Sequence, residues 1–241
     1  MRSPLIRQRV YQMSELTRGQ QLPLDAIALV HLDVIFETLH RVWQELKEEQ
    51  SDAVARGSEA EINAMMESRL NSLWRIDPLW SQLVTSVARG KESLSFDGSH
   101  LEKRPDLSIY LTGKHPSFPI VVECKLIDHS SGKGVDLYCN NGILRFVTGQ
   151  YAWANKEAVL IAYIRDGSSV DNHLSPFLAA GLQQQPDSWQ THGLPQATAG
   201  MRSAVLSSHH LRNFQYPVAV SASAPGNIAL WHVWLNGDNP P

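Results

Sequence analysis

Two short apolar segments constrain this chain more than anything else in it. They are RPDLSIYL at residues 104–111 and FPIVVECKLID at residues 118–128, separated by the turn-rich stretch TGKHPS. That spacing predicts two adjacent antiparallel strands joined by a loop. Such a pair brings Asp106, Glu123 and Lys125 together at one end of a small sheet. Glu123 and Lys125 then share a face, because strand side chains repeat every two residues. Two carboxylates and an ammonium on a rigid strand pair suit metal-dependent phosphodiester cleavage: the carboxylates hold a hard divalent cation, and the lysine positions a water or stabilises developing charge. A structural reading stands beside the chemical one. Pro-Asp also starts turns, and Glu-x-Lys on a strand also forms as a surface ion pair. Context favours chemistry, since Glu123 and Lys125 interrupt a run (IVVECKLI) whose other residues are apolar, and a buried carboxylate is costly unless paired or metal-bound.

The chain has 241 residues, enough for one large domain or a core domain with a helical addition. Apolar residues make up 43% and charged residues 19%, which places it among globular proteins. No apolar run approaches the ~20 residues that span a bilayer, and the N-terminus lacks the apolar stretch of a secretory signal. The expectation is a cytoplasmic protein without a membrane, its two cysteines (Cys124 and Cys139) reduced. A net charge of −3 does not exclude a nucleic-acid substrate, which needs only a local positive surface.

Residues 24–50 repeat apolar side chains at helical spacing, from Ile27 to Leu46, and residues 51–57 read as a linker. Ser58 followed by Glu61 is a capping box opening a helix that runs to Trp74. Asp77-Pro78 starts a further helix closed by Arg89-Gly90. Short strands follow: ESLSFDG, PDLSIYL and PIVVECKLI. VDLYCNNGILRFVTGQYAWAN reads as a helix interrupted or delayed at Asn140-Asn141-Gly142, EAVLIAYI as a strand, residues 170–184 as helix, and a polar loop extends to about residue 200. MRSAVLSSHHL and NIALWHVWL are the last strand candidates. The reading is an α/β domain at 58–241 around a mixed sheet, with an N-terminal helical extension at 1–57. No Cys/His set with zinc spacing accompanies His209 and His210; with Arg212 they form a polar strand end suited to a phosphate.

A helix bearing glutamate, a strand with Pro105-Asp106, a strand with Glu123-Cys124-Lys125, then a helix and a strand resembles the PD-(D/E)xK, or restriction-endonuclease-like, nuclease superfamily over residues 58–165. The C-terminal SSHHLR and IALWHVWL are similar to the tail of small bacterial nucleases of phage defence. The resemblance implies an αβββαβ core with a mixed sheet flanked by helices. It implies a Mg²⁺- or Mn²⁺-dependent endonuclease acting on DNA in a bacterial defence or restriction setting. Asp106, Glu123 and the Cys124 carbonyl would bind the metal, and Lys125 would contact the nucleophile or phosphate. The helix glutamate would be Glu61, with Glu59 and Glu67 as alternatives. On the later helix, Gln150 would join the catalytic set, and Arg145 and Tyr151, like Arg212, would contact nucleic acid. It further implies a homodimer, with the N-terminal helices as a dimer or partner-protein element. The same fold used as an inactive or latent interaction subunit is the competing expectation.

Overall fold

The computed structural model describes residues 11–92, 95–96 and 104–237. Residues 11–16 form helix α1, and the first long helix, α2, is Leu29–Glu49. The expected linker is a short helix, α3 (Ser51–Arg56), held by Asp52 in its first turn and Arg56 in its last, the signs that complement a helix dipole. Helix α4 (Glu59–Ser72) begins at the predicted capping box. The Glu61 amide donates to the Ser58 hydroxyl, and the Glu61 carboxylate accepts from the Ser58 backbone N–H at 2.6 Å.

After α4 the structure departs from the expected helix. Asp77 caps α5, but α5 covers only Pro78–Leu83, and the chain continues as strand β1 (Val84–Arg89). The β-branched Val84, Thr85 and Val87 disfavour helix, and β1 gains a partner in β2. The expected strand ESLSFDG lies largely outside the described residues; Ser95 and Phe96, which are described, are not in a strand.

Strands β2 (Leu107–Leu111) and β3 (Ile120–Ile127) form the predicted antiparallel pair. The next helix is continuous but uneven. It consists of α6 (Val135–Tyr138), a π-helical stretch at Cys139–Ile143, and α7 (Leu144–Val147). Strand β4 (Glu157–Ile164) is buried along its whole length and runs parallel to β3. A π-helical turn at Val170–Leu174 leads into α8 (Ser175–Gly181). The supposed polar loop contains a strand, β5 (Thr191–Ala197), whose half-exposed alternation hides it from an apolar pattern search. Strands β6 (Leu206–His210) and β7 (Ile228–Asn236) complete the sheet.

The result is a seven-stranded mixed sheet in the order β1-β2-β3-β4-β7-β6-β5, with β4 parallel to both β3 and β7. Alternation along the strands divides the core into two layers. One face packs on α2 and α4 through Ile35, Leu39, Trp43, Ile62 and Met66. The other packs on α6–α7 and α8 through Tyr138, Ile143, Phe146 and Leu178.

Helix α2, which the sequence reads as an extension, therefore belongs to the same core as the sheet. Its Trp43 stacks on Tyr163 of β4 at 5.3 Å and donates its indole N–H to the Asn236 carbonyl at 2.7 Å. Its Asp33, also buried, accepts the backbone N–H groups of Arg202 and Ser203 at 3.0 Å. Among the described residues no helix is long and apolar enough to cross a membrane.

Candidate functional site

The site forms where β2 leaves β3. The two strands pair from Leu107↔Val122 to Ile109↔Ile120. One step further the register sets Asp106 opposite Glu123, on the same face of the sheet. Beyond that step no strand among the described residues pairs with β3 on this side, and its backbone N–H groups find other acceptors. The Cys124 N–H donates to the Asp106 carboxylate, and the Leu126 N–H donates to the Glu59 carboxylate, each at 2.8 Å. Two carboxylates thus finish a strand edge and are held there by it.

Lys125 fills the space between the acids. Its ammonium donates to the Cys124 carbonyl at 2.6 Å and to Glu123 Oε1 at 2.7 Å, with Glu59 at 3.5 Å and Asp106 at 3.7 Å. Arg145, from α7, reaches the same Glu123 Oε1 at 2.8 Å. Glu123 itself is 1% exposed, and its Oε2 has no hydrogen-bond partner among the described residues. Burial raises its carboxyl pKa to about 7, with the neighbouring Asp106 adding to the rise and Lys125 and Arg145 opposing it. For Lys125, burial favours the neutral amine, but the surrounding carboxylates, Glu123 foremost, outweigh it and hold the ammonium above its ordinary value. Arg145 is held charged in the same way.

The helix covering this face is shaped for the contact. A Cβ on Gly142, in the π-helical stretch, would stand 3.0 Å from Leu160 Cδ2 and 4.0 Å from Glu123 Cγ. Glycine there lets the helix settle on the strands and lay Arg145 over Glu123. Arg145 is braced in turn by Tyr151. It donates to the Tyr151 hydroxyl at 3.0 Å, and that hydroxyl donates to the Arg104 carbonyl at 2.8 Å, next to Pro105. Burial pushes the Tyr151 phenol up to about 12, so it serves here as a neutral donor.

The expected residues Asp106, Glu123, Lys125 and the Cys124 carbonyl are thus brought together. Other expected residues are placed away from the site or in a different role. Glu61 is not in the site: its carboxylate is committed to the Ser58 cap, and Glu59, on the side of α4 that faces β3, takes the place. Glu67 pairs with Arg89 at 2.9 Å. Arg212 is no nucleic-acid contact, because its guanidinium is buried against the main-chain carbonyls of Trp153 and Asn155, and burial lowers its pKa to about 10. Tyr151 is likewise buried and acts on Arg145 rather than on the surface. Gln150 follows α7, its backbone N–H donating to the Arg145 carbonyl at 2.9 Å, and its side chain makes no hydrogen bond among the described residues. His210 is buried inside the protein and not at a phosphate-binding strand end. The Cys124 thiol faces the opposite layer, where it accepts from the Tyr163 hydroxyl at 3.6 Å, so only its carbonyl points to the site.

The donors match a hard cation in kind, being carboxylate and carbonyl oxygens. With Glu123 ionised, three carboxylates face two cations, leaving one negative charge in excess. The unpartnered Oε2 is a further open lone pair. As the side chains stand, however, no group of three His, Cys, Asp or Glu among the described residues is placed to hold a metal. The Lys125 ammonium supplies the positive charge between these carboxylates. Comparison with known protein families, curated proteins and solved structures finds no match for this chain.

Proposed function

We propose that this protein is a metal-dependent nuclease of the restriction-endonuclease-like type, hydrolysing DNA phosphodiester bonds at Asp106, Glu123 and Lys125. The observation that carries the reading is the convergence of Asp106, Glu123, the Cys124 carbonyl and Lys125 at the point where the β2–β3 pairing ends, with one buried carboxylate oxygen unpartnered among the described residues. The order α4, α5, three antiparallel strands, a helix and a parallel strand supports it, being compatible with the αβββαβ core that the resemblance implies once α5 is taken as an insertion.

Asp106, Glu123 and the Cys124 carbonyl would hold Mg²⁺ or Mn²⁺, with Glu59 beside them. A cation there supplies Lewis acidity at the phosphate and a water of lowered pKa. Lys125 then exchanges its present carboxylate partners for the phosphate or the attacking water, carrying its charge into the reaction. Arg145, braced by Tyr151, orients Glu123 and offsets part of its charge.

The test is incubation of the purified protein with plasmid, linear and single-stranded DNA and with RNA, with Mg²⁺ or Mn²⁺ and with EDTA. Metal-dependent cleavage lost in Asp106→Ala and Lys125→Ala supports the reading; undiminished cleavage by either variant overturns the site. A second reading is favoured by the lysine's position among the carboxylates: a latent enzyme or interaction subunit whose site opens only when a partner or substrate draws Lys125 away. Calorimetric Mn²⁺ binding that requires Asp106, without cleavage of any nucleic acid, would select it.

A further inference from the structure

A cavity of about 340 Å³ lies along the same sheet face as the site. Its walls include Pro105, the neighbour of Asp106, together with Tyr110 of β2 and Val121 of β3. Tyr110 stands four residues from Asp106 and Val121 two from Glu123, so alternation places all four side chains on one face. Phe118 and Trp153 form the far wall, edge to face at 5.6 Å and 90°. Lys91 also lines it, its ammonium 4.6 Å from the Tyr110 ring centroid. Trp153 is buried, whereas Tyr110 and Phe118 are only half-buried.

We infer that this cavity takes one unpaired nucleobase of the DNA strand whose phosphate lies at Asp106 and Glu123. The inference rests on the phosphodiesterase reading and narrows its substrate to strands with an unstacked nucleotide beside the scissile bond. Three properties select this occupant. The volume is at the low end for ligand pockets and suits a single flat ring system with its sugar. Aromatic walls favour stacking, which is sequence-tolerant because every base has a π-face. Lys91 supplies a cation for a flanking phosphate. A base held in an intact duplex enters only by leaving its stack, which costs unpairing energy that a single strand does not pay.

The experiment uses the full chain at low salt without divalent metal, so that binding is read apart from cleavage. The probe is a single-stranded DNA oligonucleotide carrying one 2-aminopurine, whose emission reports stacking. Wild type is expected to change the emission, and an abasic strand or a blunt duplex of equal length to compete at least tenfold less well than the unmodified strand. Phe118→Leu, which keeps an apolar side chain of similar bulk but no ring, is expected to weaken binding about tenfold, as is Tyr110→Leu. Melting curves confirm that both variants are folded. Equal competition by abasic and unmodified strands, or unchanged binding by both variants, overturns the inference. Ring-dependent binding by a protein that cuts nothing in Mg²⁺ supports the base site while the hydrolase reading falls. Cleavage with no base dependence does the reverse.

Discussion

Two polar networks share one rung of the sheet and differ in whether they close. The register runs Glu123↔Leu160↔His232↔Leu206 across β3, β4, β7 and β6, with Leu160 as an apolar spacer. Beyond it lies a buried chain whose protons follow from one end. The Trp189 carbonyl accepts from His210 Nδ1–H at 2.7 Å, so His210 Nε2 must accept from the Ser208 hydroxyl at 2.7 Å. Ser208 Oγ then accepts from His232 Nε2–H at 2.7 Å, and His232 Nδ1 accepts from the Tyr138 hydroxyl at 2.8 Å. Each histidine nitrogen is used and none carries charge. The Glu123 network, by contrast, has an oxygen unpartnered among the described residues and, with Glu123 ionised, one negative charge in excess. One helix serves both, with Tyr138 at the closed network, Gly142 over Leu160, and Arg145 at the open one. On the proposed reading, the difference separates a polar group that maintains a core from one that would receive a ligand.

The largest test exchanges the two roles. Lys125→Ala is expected to reduce metal-dependent cleavage by about 10²–10³-fold, the usual loss of a group that stabilises developing charge, with the melting temperature changed far less. Ser208→Ala should do the opposite. It leaves two buried imidazole nitrogens without a partner and costs about 2–6 kcal/mol, at roughly 1–3 kcal/mol for each, while cleavage per folded molecule stays constant. Urea unfolding beside an initial-rate assay measures both. If Ser208→Ala lowered the rate of folded protein as much as Lys125→Ala, the networks would be one system.

Titration sharpens the contrast because the two networks oppose each other in sign. Burial lowers His210 to about 4 and His232 to about 3, below the ordinary value of 6.5. The unfolded chain therefore takes up these protons first as pH falls, so the stability they contribute is complete above about pH 6.5 and is lost on acidification toward pH 4 and 3. Glu123 behaves inversely. Its pKa rises from 4.5 to about 7, so the folded state binds its proton more tightly and stability falls as pH rises between those values. In metal-free protein, the stability of Glu123→Gln relative to wild type should therefore rise by up to about 3 kcal/mol from pH 4.5 to pH 7.5, at 1.36 kcal/mol per unit. A flat difference in urea midpoints would mean that Glu123 titrates normally. Replacing His232 with phenylalanine should flatten the acid limb of the wild-type profile.

Much of the open network was legible in the sequence, and the closed one was not. Pro105-Asp106 and Glu123-Cys124-Lys125 stand out because charge interrupts an apolar strand, which is a local signal. Gly142 also carried a signal: Asn140-Asn141-Gly142 suggested a broken helix, and the outcome is a π-helical stretch that fits the helix to Glu123. The histidine chain joins residues 138, 189, 208, 210 and 232, far apart in sequence, so no spacing rule could assemble it. Arg212 misled for a related reason. An arginine beside two histidines reads as surface charge until the fold supplies the Trp153 and Asn155 carbonyls that bury it. β1 was missed because a capped helix start says nothing about its length, and β2 lies too far along the chain to enter a local pattern.

The smallest effect repeats the same contrast within one turn of α4, where Glu61 is closed and Glu59 is open. Glu61 accepts from the Ser58 backbone and hydroxyl and is committed to that cap, so Glu61→Ala should lower the urea midpoint slightly and leave cleavage unchanged. Glu59 accepts the Leu126 N–H at the β3 edge and faces Lys125 at 3.5 Å. Glu59→Gln preserves an acceptor for that N–H, so the fold should hold while the charge opposite Lys125 disappears. The expected result is a weaker apparent Mn²⁺ affinity in the cleavage assay, with a urea midpoint near wild type. Were Glu61→Ala the variant that lost metal dependence, the capping box would be a site element after all, and α4 would have to rotate in the active protein to bring that carboxylate to β3.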